Sequence, residues 1–217
     1  MEINLLKNYP KTKRDLNFRA NNKTENDRIL ARKFEKDFFD GDRKNGYGGF
    51  YYNPKFWTPV IPDFVSHYNL TKDSKILDVG CAKGFMLYDF IKLMPGIDVR
   101  GVDISNYAID NSIPEIKNYL KVANALELPF DNNEFDLVIS ITTVHNLEIE
   151  ECKKSIKEIS RVSKKNSFIT VDAYRNEEQK KAMMDWNLTA KTILHVDDWK
   201  KMFNEIDYSG DFYWFIP

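Results

Sequence analysis

The chain is poor in the residues that build covalent or metal-held frameworks. Two cysteines, Cys81 and Cys152, exclude a disulfide scaffold and a thiolate metal cluster, and no metal is expected. No apolar run approaches the roughly 18 residues that cross a bilayer. The first ten positions carry Glu2, Asn4 and Lys7 where a secretory signal would be apolar, so a cytoplasmic protein without membrane attachment is expected. A formal net charge of -1 gives no global pull toward nucleic acid or anionic lipid. Charge is uneven only at the start, where Lys7, Lys11, Lys13, Arg14, Arg19, Lys23 and Arg28 make a basic lead that reads as a solvated tail. Repeats and domain-separating linkers are absent too, and 217 residues suit one structural domain.

What is present is an alternation of short apolar runs with amphipathic stretches, the rhythm of strands joined by crossover helices. Strands are expected near 75–79, 98–102, 119–122, 135–141 and 167–172, with helices near 84–94, 105–112 and 148–162. Thr24 is placed to cap a helix over 25–39, in which Leu30, Phe34 and Phe38 share a face. A helix follows near 58–68, and after Tyr174 come a charged helix near 176–187, a helix capped by Asp197, and one strand within 208–217. The fold class is α/β, a doubly wound, mostly parallel sheet of six or seven strands. Residues 71–217 would form its core and residues 1–70 an N-terminal extension with a helical, aromatic lid.

The densest signal is Asp78-Val-Gly80-Cys-Ala82-Lys-Gly84, a strand running through small residues into a helix. Such a loop lets a ligand lie against backbone N–H groups. Asp103 follows about 20 positions later at the end of a second apolar strand, the spacing of an acid that grips both ribose hydroxyls. A dinucleotide fingerprint would need glycines where Ala82 and Phe85 stand.

The rhythm instead resembles the first motif of class I S-adenosylmethionine-dependent methyltransferases, with Ala82 in place of the usual middle glycine. A second stretch, Val122-Ala-Asn-Ala-Leu-Glu-Leu-Pro-Phe-Asp-Asn-Asn-Glu-Phe-Asp136, is similar to the signature of the ubiquinone- and menaquinone-type subgroup. Together the matched segments run from about Ser74 to Leu147. The resemblance implies a Rossmann-like fold and S-adenosylmethionine as cofactor, yielding S-adenosylhomocysteine. It implies that the loop Asp78, Gly80, Cys81, Ala82 and Gly84 packs under the methionine part and that Asp103 holds the ribose. Asn124, where Asp is usual, would meet the adenine amine, the Ala125 N–H a ring nitrogen, and Ile104, Leu126 and Ile141 would border the cofactor. Radical chemistry is excluded, since no three-cysteine motif exists.

Methyl transfer is an in-line displacement in which positioning supplies much of the rate, and a base is needed only for a protonated acceptor. The expected catalytic residues are His145, after the fourth strand, and Tyr47. Tyr47 belongs to a glycine-rich aromatic segment, 46–57, expected to act as a lid. Tyr51, Tyr52, Asp172, Tyr174 and His195 are expected at the acceptor. The expected partner is a small molecule, with no nucleic acid and no membrane, and the protein a monomer or homodimer. Aminocarboxypropyl transfer or cyclisation on the same fold, and a non-catalytic partner subunit, stay open as alternatives.

Overall fold

Strict alternation of buried side chains sends apolar residues to both faces of a parallel sheet. Leu77, Val79, Val138, Ile169 and Val171 enter one core layer, and Ile76, Leu137, Ile139 and Phe168 enter the other. A computed structural model describes residues 1–11 and 23–217; the basic positions Lys13, Arg14 and Arg19 lie outside the described residues. The strands are β1 (Lys75–Val79), β2 (Asp98–Asp103), β3 (Leu120–Val122), β4 (Phe135–Ile141), β5 (Ser163–Tyr174), β6 (Leu194–His195) and β7 (Asp211–Phe215). Their order is β3-β2-β1-β4-β5, with β6 paired to the end of β5 at Ala173 and Tyr174 and β7 paired to β5 over 168–172. Helices α1 (Glu25–Ala31), α2 (Lys36–Phe39), α3 (Pro54–Trp57) and α4 (Ile61–Tyr68) precede the sheet. Then come α5 (Phe85–Leu93), α6 (Asn106–Asp110), α7 (Pro114–Lys117), α8 (Ile149–Val162), α9 (Glu177–Trp186) and α10 (Val196–Glu205).

The expected α/β architecture is found, and the carboxyl ends of β1 and β4 form the crevice where such sheets place ligands. Several details differ. The strand expected within 208–217 is β7, and it runs parallel to β5, Phe168 facing Asp211 and Asp172 facing Phe215. Helix α10 carries the chain back along β5 after β6 has paired at Ala173 and Tyr174, so β7 starts again in the same direction. Residues 1–3 then pair on β7, Ile3 N–H donating to Phe212 O at 3.0 Å and Phe212 N–H to Met1 O at 3.0 Å. The lead is therefore no solvated tail over this stretch: Leu5 is buried in the core and Tyr9 packs edge-on against Trp57.

The helix expected over 25–39 is broken in two. Thr24 caps α1 through a capping box with Asp27, but Phe34 adopts φ 52° and turns the chain before α2. At the far end His195, not Asp197, caps α10, its Nδ1 accepting from Asp197 N–H at 3.2 Å. No helix among the described residues is long and apolar enough to cross a membrane.

Candidate active site

The floor of the crevice is set by backbone conformation. Gly80 leaves β1 at φ 84°, and a Cβ there would sit 2.1 Å from Thr143 Oγ1. The glycine is thus required by close approach of the turn after β4. Gly84 caps α5 at φ 75°. Between them Ala82 holds φ 50°, a left-handed conformation that costs a side-chain-bearing residue about 1–2 kcal/mol. That conformation aims the Ala82 N–H at Asp103 Oδ2, 2.8 Å away. Gly80 and Cys81 N–H both donate to Val102 O, at 2.8 and 3.0 Å, and Gly84 N–H to Cys81 O at 2.9 Å. The expectation that these amides cradle a ligand is corrected: they are satisfied within the protein.

Two carboxyl groups face the cavity above this floor. Asp103 is 9% exposed and accepts from Ser105 N–H at 2.9 Å and Ala82 N–H at 2.8 Å, one bond to each oxygen. A carboxylate has about four acceptor sites, so these backbone donors leave room for a ligand hydroxyl. Burial pushes the Asp103 pKa up, while the backbone N–H bonds oppose the rise. Asp78 has no hydrogen-bond partner among the described residues; burial, and secondarily the charge of Asp103, push it up to about 7. Both line a cavity of about 980 Å³, the upper end of the small-molecule range of roughly 300–1,000 Å³. Ile104, Asn124, Ala125, Leu126 and Ile141 line the same cavity. Asn124 is fixed there by an Asx turn, its Oδ1 accepting from Leu126 N–H at 2.9 Å.

The far end is built by the turn after β4. Thr142 is held at φ 50°, an outlier for a β-branched residue, by its N–H donating to Thr170 O at 3.1 Å and Thr170 Oγ1 at 2.9 Å. His145 then lies buried with Nδ1 accepting from Asp172 N–H at 2.8 Å. Burial holds its pKa below the usual imidazole range, so the ring is neutral with its proton on Nε2. A base would need that lone pair, and the base role is corrected to that of a hydrogen-bond donor. The Asp172 carboxylate stands 3.6 Å from His145 Nδ1 and also lines the cavity.

Aromatic rings from the N-terminal segment form the roof. Tyr47 packs on Phe50 at 4.3 Å and stacks on Phe39 at 6.0 Å between centroids, and all of them line the cavity. Tyr47 is 44% exposed, and desolvation of its hydroxyl raises its pKa above the ordinary value, which suits a donor and not a base. Other acceptor expectations are corrected. Tyr51 and Tyr52 do not line this cavity: Tyr51 is 75% exposed, and the Tyr52 hydroxyl donates to Asp89 Oδ1 at 2.5 Å. Tyr174 and His195 also lie outside it, packed edge-to-face at 5.7 Å, with both His195 nitrogens engaged by Arg175 O and Asp197 N–H. Sequence reasoning missed Trp186, Leu188 and Phe215, which complete the wall, and Lys83, whose Nζ donates to Asp40 Oδ2 at 2.6 Å across 43 positions. No motif spacing announces such contacts.

A parallel sheet with a ribose-type acid after β2 and an amide after β3, all opening on one cavity, defines a class I S-adenosylmethionine-dependent methyltransferase. The chain belongs to the family described as "Methyltransferase domain", whose model matches residues 70–209; the roof segment precedes that span. It is 32% identical over 143 residues to a tRNA (carboxymethyluridine(34)-5-O)-methyltransferase of Arabidopsis thaliana, covering 65% of this chain and 33% of that one. Against a ubiquinone biosynthesis O-methyltransferase of Rickettsia bellii it is 32% identical over 126 residues, covering 54% and 50%. The chain thus spans a third to a half of these relatives' lengths. Among solved structures the YcgJ protein from Bacillus subtilis is similar at TM-score 0.53 and 17% identity, over 66% of this chain and 65% of that one, a likeness of fold alone. S-adenosylmethionine use follows from the family, and the residues present fit it: Asp103 offers paired acceptor sites for a diol, and Asp78 an unpartnered carboxyl for a cation.

Proposed function

We propose that the protein transfers a methyl group from S-adenosylmethionine to a small molecule bearing an oxygen or nitrogen nucleophile, leaving S-adenosylhomocysteine. When bound, the cofactor supplies an electrophilic methyl group on a positively charged sulfur. Asp103 would hold the ribose hydroxyls through its remaining acceptor capacity, and Asn124 with the Ala125 N–H would meet the adenine edge. Ile104, 53% exposed on the cavity wall, would give an apolar face to the base, with Leu126 and Ile141 bordering the same ligand. Asp78 would take a cationic group, which relieves the burial cost of its own charge.

At the acceptor end His145 would donate from Nε2–H, and Tyr47 from its hydroxyl, to orient an oxygen or nitrogen of the acceptor. Neither is suited to remove a proton, so their contribution is positioning, which can account for several kcal/mol. Asp172, beside His145, presents a carboxylate to the same cavity.

The observation that carries the small-acceptor reading is the roof: Phe39, Tyr47 and Phe50 cover a chamber that a compact ligand can occupy beside the cofactor. The N-terminal segment is accordingly read as a lid on a core beginning near residue 71. The test is calorimetric titration with S-adenosylmethionine, followed by product analysis with an acceptor panel. S-adenosylhomocysteine with a methylated acceptor is expected. Methylthioadenosine would show transfer of the other arm instead, and no binding would overturn the reading.

A further inference from the structure

We propose that Lys83 and Asp40 form an ionic latch that fastens the aromatic roof to the cofactor loop and sets how fast the cofactor enters and leaves. The proposal rests on the reading of the cavity as an S-adenosylmethionine site.

Lys83 sits inside the loop between Gly80 and Gly84 yet is only 4% exposed. Its ammonium donates to Asp40 Oδ2 at 2.6 Å and to Phe50 O at 2.9 Å. Asp40 gathers two further donors, Phe50 N–H at 2.9 Å on Oδ1 and the Tyr107 hydroxyl at 2.8 Å on Oδ2. One carboxylate therefore ties the roof, the loop under the ligand, and helix α6, which begins three residues after Asp103. The rings of Tyr51 and Tyr107 lie 5.6 and 5.8 Å from the ammonium.

A buried ion pair adds little net stability over an apolar pair, but breaking it by removing one partner is costly. Its contribution is therefore to make two discrete states, fastened and open, with few stable positions between. The roof is built to move between them. Gly41, Gly46, Gly48 and Gly49 punctuate the segment, and among the described residues two main-chain bonds tie it to α2, Tyr47 N–H to Phe38 O at 2.8 Å and Gly49 N–H to Phe39 O at 3.0 Å. Phe50 is fixed at both its N–H and its carbonyl by the latch, and its ring stacks on Phe85 at 4.9 Å at the start of α5. A ligand seated against Asp103 is released when Phe50 lifts, and Phe50 lifts when the latch opens.

The experiment uses S-adenosylhomocysteine as the probe. Calorimetry first establishes that the wild-type chain binds it; stopped-flow tryptophan fluorescence, with Trp57 in the cavity wall, then gives dissociation rates. Lys83→Met and Asp40→Asn are each expected to raise the dissociation rate at least about tenfold, the usual worth of a charged hydrogen bond. The double variant is expected to match the faster single, because both remove the same contact. A change of less than tenfold in both single variants, or multiplicative effects in the double, overturns the latch. Where those variants fail to fold, Tyr107→Phe removes one hydroxyl from the hub and is expected to raise the rate about threefold; an unchanged rate overturns the proposal. Wild-type protein that gives no heat overturns the cofactor reading itself, a separate result from binding with unaltered rates.

Discussion

The two halves of the cavity are built by different means. The cofactor half comes from one short span, Asp78 to Leu126, and its geometry is main-chain geometry: the φ values of Gly80, Ala82 and Gly84, and backbone N–H groups that orient Asp103. The roof and acceptor half is gathered from Phe34 to Trp57, from His145 and Asp172, and from Trp186 to Lys191 with Phe215. Side chains meeting across the whole sequence hold it together. A half fixed by the backbone tolerates few residue types at its turns, and a half fixed by packing tolerates many. On the proposed reading, that contrast would make one half a cofactor platform and leave the other to choose an acceptor.

The sharpest way to break the comparison is Gly80→Ala. The new Cβ would meet Thr143 Oγ1 at 2.1 Å, in a left-handed conformation as well. A loss of about 3 kcal/mol or more is expected, read as a fall in melting temperature. Hydrogen exchange should quicken across 78–84 and 141–146 before it does across 34–50; simultaneous loss in all three would show the halves to be one unit.

Asp103→Ala comes next. It removes the charged acceptor for the ribose and should lower S-adenosylmethionine affinity at least about tenfold. It also leaves the Ala82 and Ser105 N–H groups without their partner, so stability falls as well. Titration at a temperature where both proteins are folded separates the two effects, and unchanged affinity would defeat the ribose assignment.

The same contrast governs what could be read from the sequence. Strands β1 and β4 lie where the apolar runs put them, and the cofactor residues line one cavity, because turn chemistry and strand burial leave local marks. The direction of β7 left none: it depends on where α10 returns the chain. The break at Phe34 was hidden because its apolar spacing fits a continuous helix, and only the positive φ shows that the ring turns toward the cavity. Tyr51, Tyr52, Tyr174 and His195 carry suitable chemistry but are engaged elsewhere, which composition cannot reveal. For His145 the sequence located the residue, whereas its proton position was decided by the Asp172 N–H that β5 presents to Nδ1.

A pH series sharpens the comparison on the cofactor side alone. Asp78 in the folded chain titrates near 7, well above its ordinary 3.8, through burial and the neighbouring Asp103. Between those values the folded state keeps a proton that the unfolded state has released, so stability declines as pH rises through that window. A cationic ligand reverses the preference, because it favours the ionised carboxyl. Cofactor affinity should therefore rise from pH 6 to 8, by at most about tenfold per pH unit for a single proton, with proton release seen by calorimetry in buffers of different ionisation enthalpy. Asp78→Asn should flatten the dependence, and a persisting slope would move the titrating group elsewhere.

The smallest effect belongs to Ala82→Gly. Alanine at φ 50° carries a strain of about 1–2 kcal/mol that glycine lacks, but glycine loses about 0.5–1 kcal/mol more backbone entropy on folding. The balance predicts a gain of roughly 0–1.5 kcal/mol in chemical denaturation. The Ala82 N–H bond to Asp103 should survive, since it depends on the backbone conformation and not on the methyl group, so cofactor affinity should stay within about twofold of the parent. A clear loss of stability would mean that the Ala82 methyl packs in a way the strain argument omits, and a loss of affinity would mean that the stiffness of alanine holds Asp103 in place. The second outcome would give the departure from the family's glycine a function: rigidity in the backbone-built half of the site, set against a roof assembled from side chains.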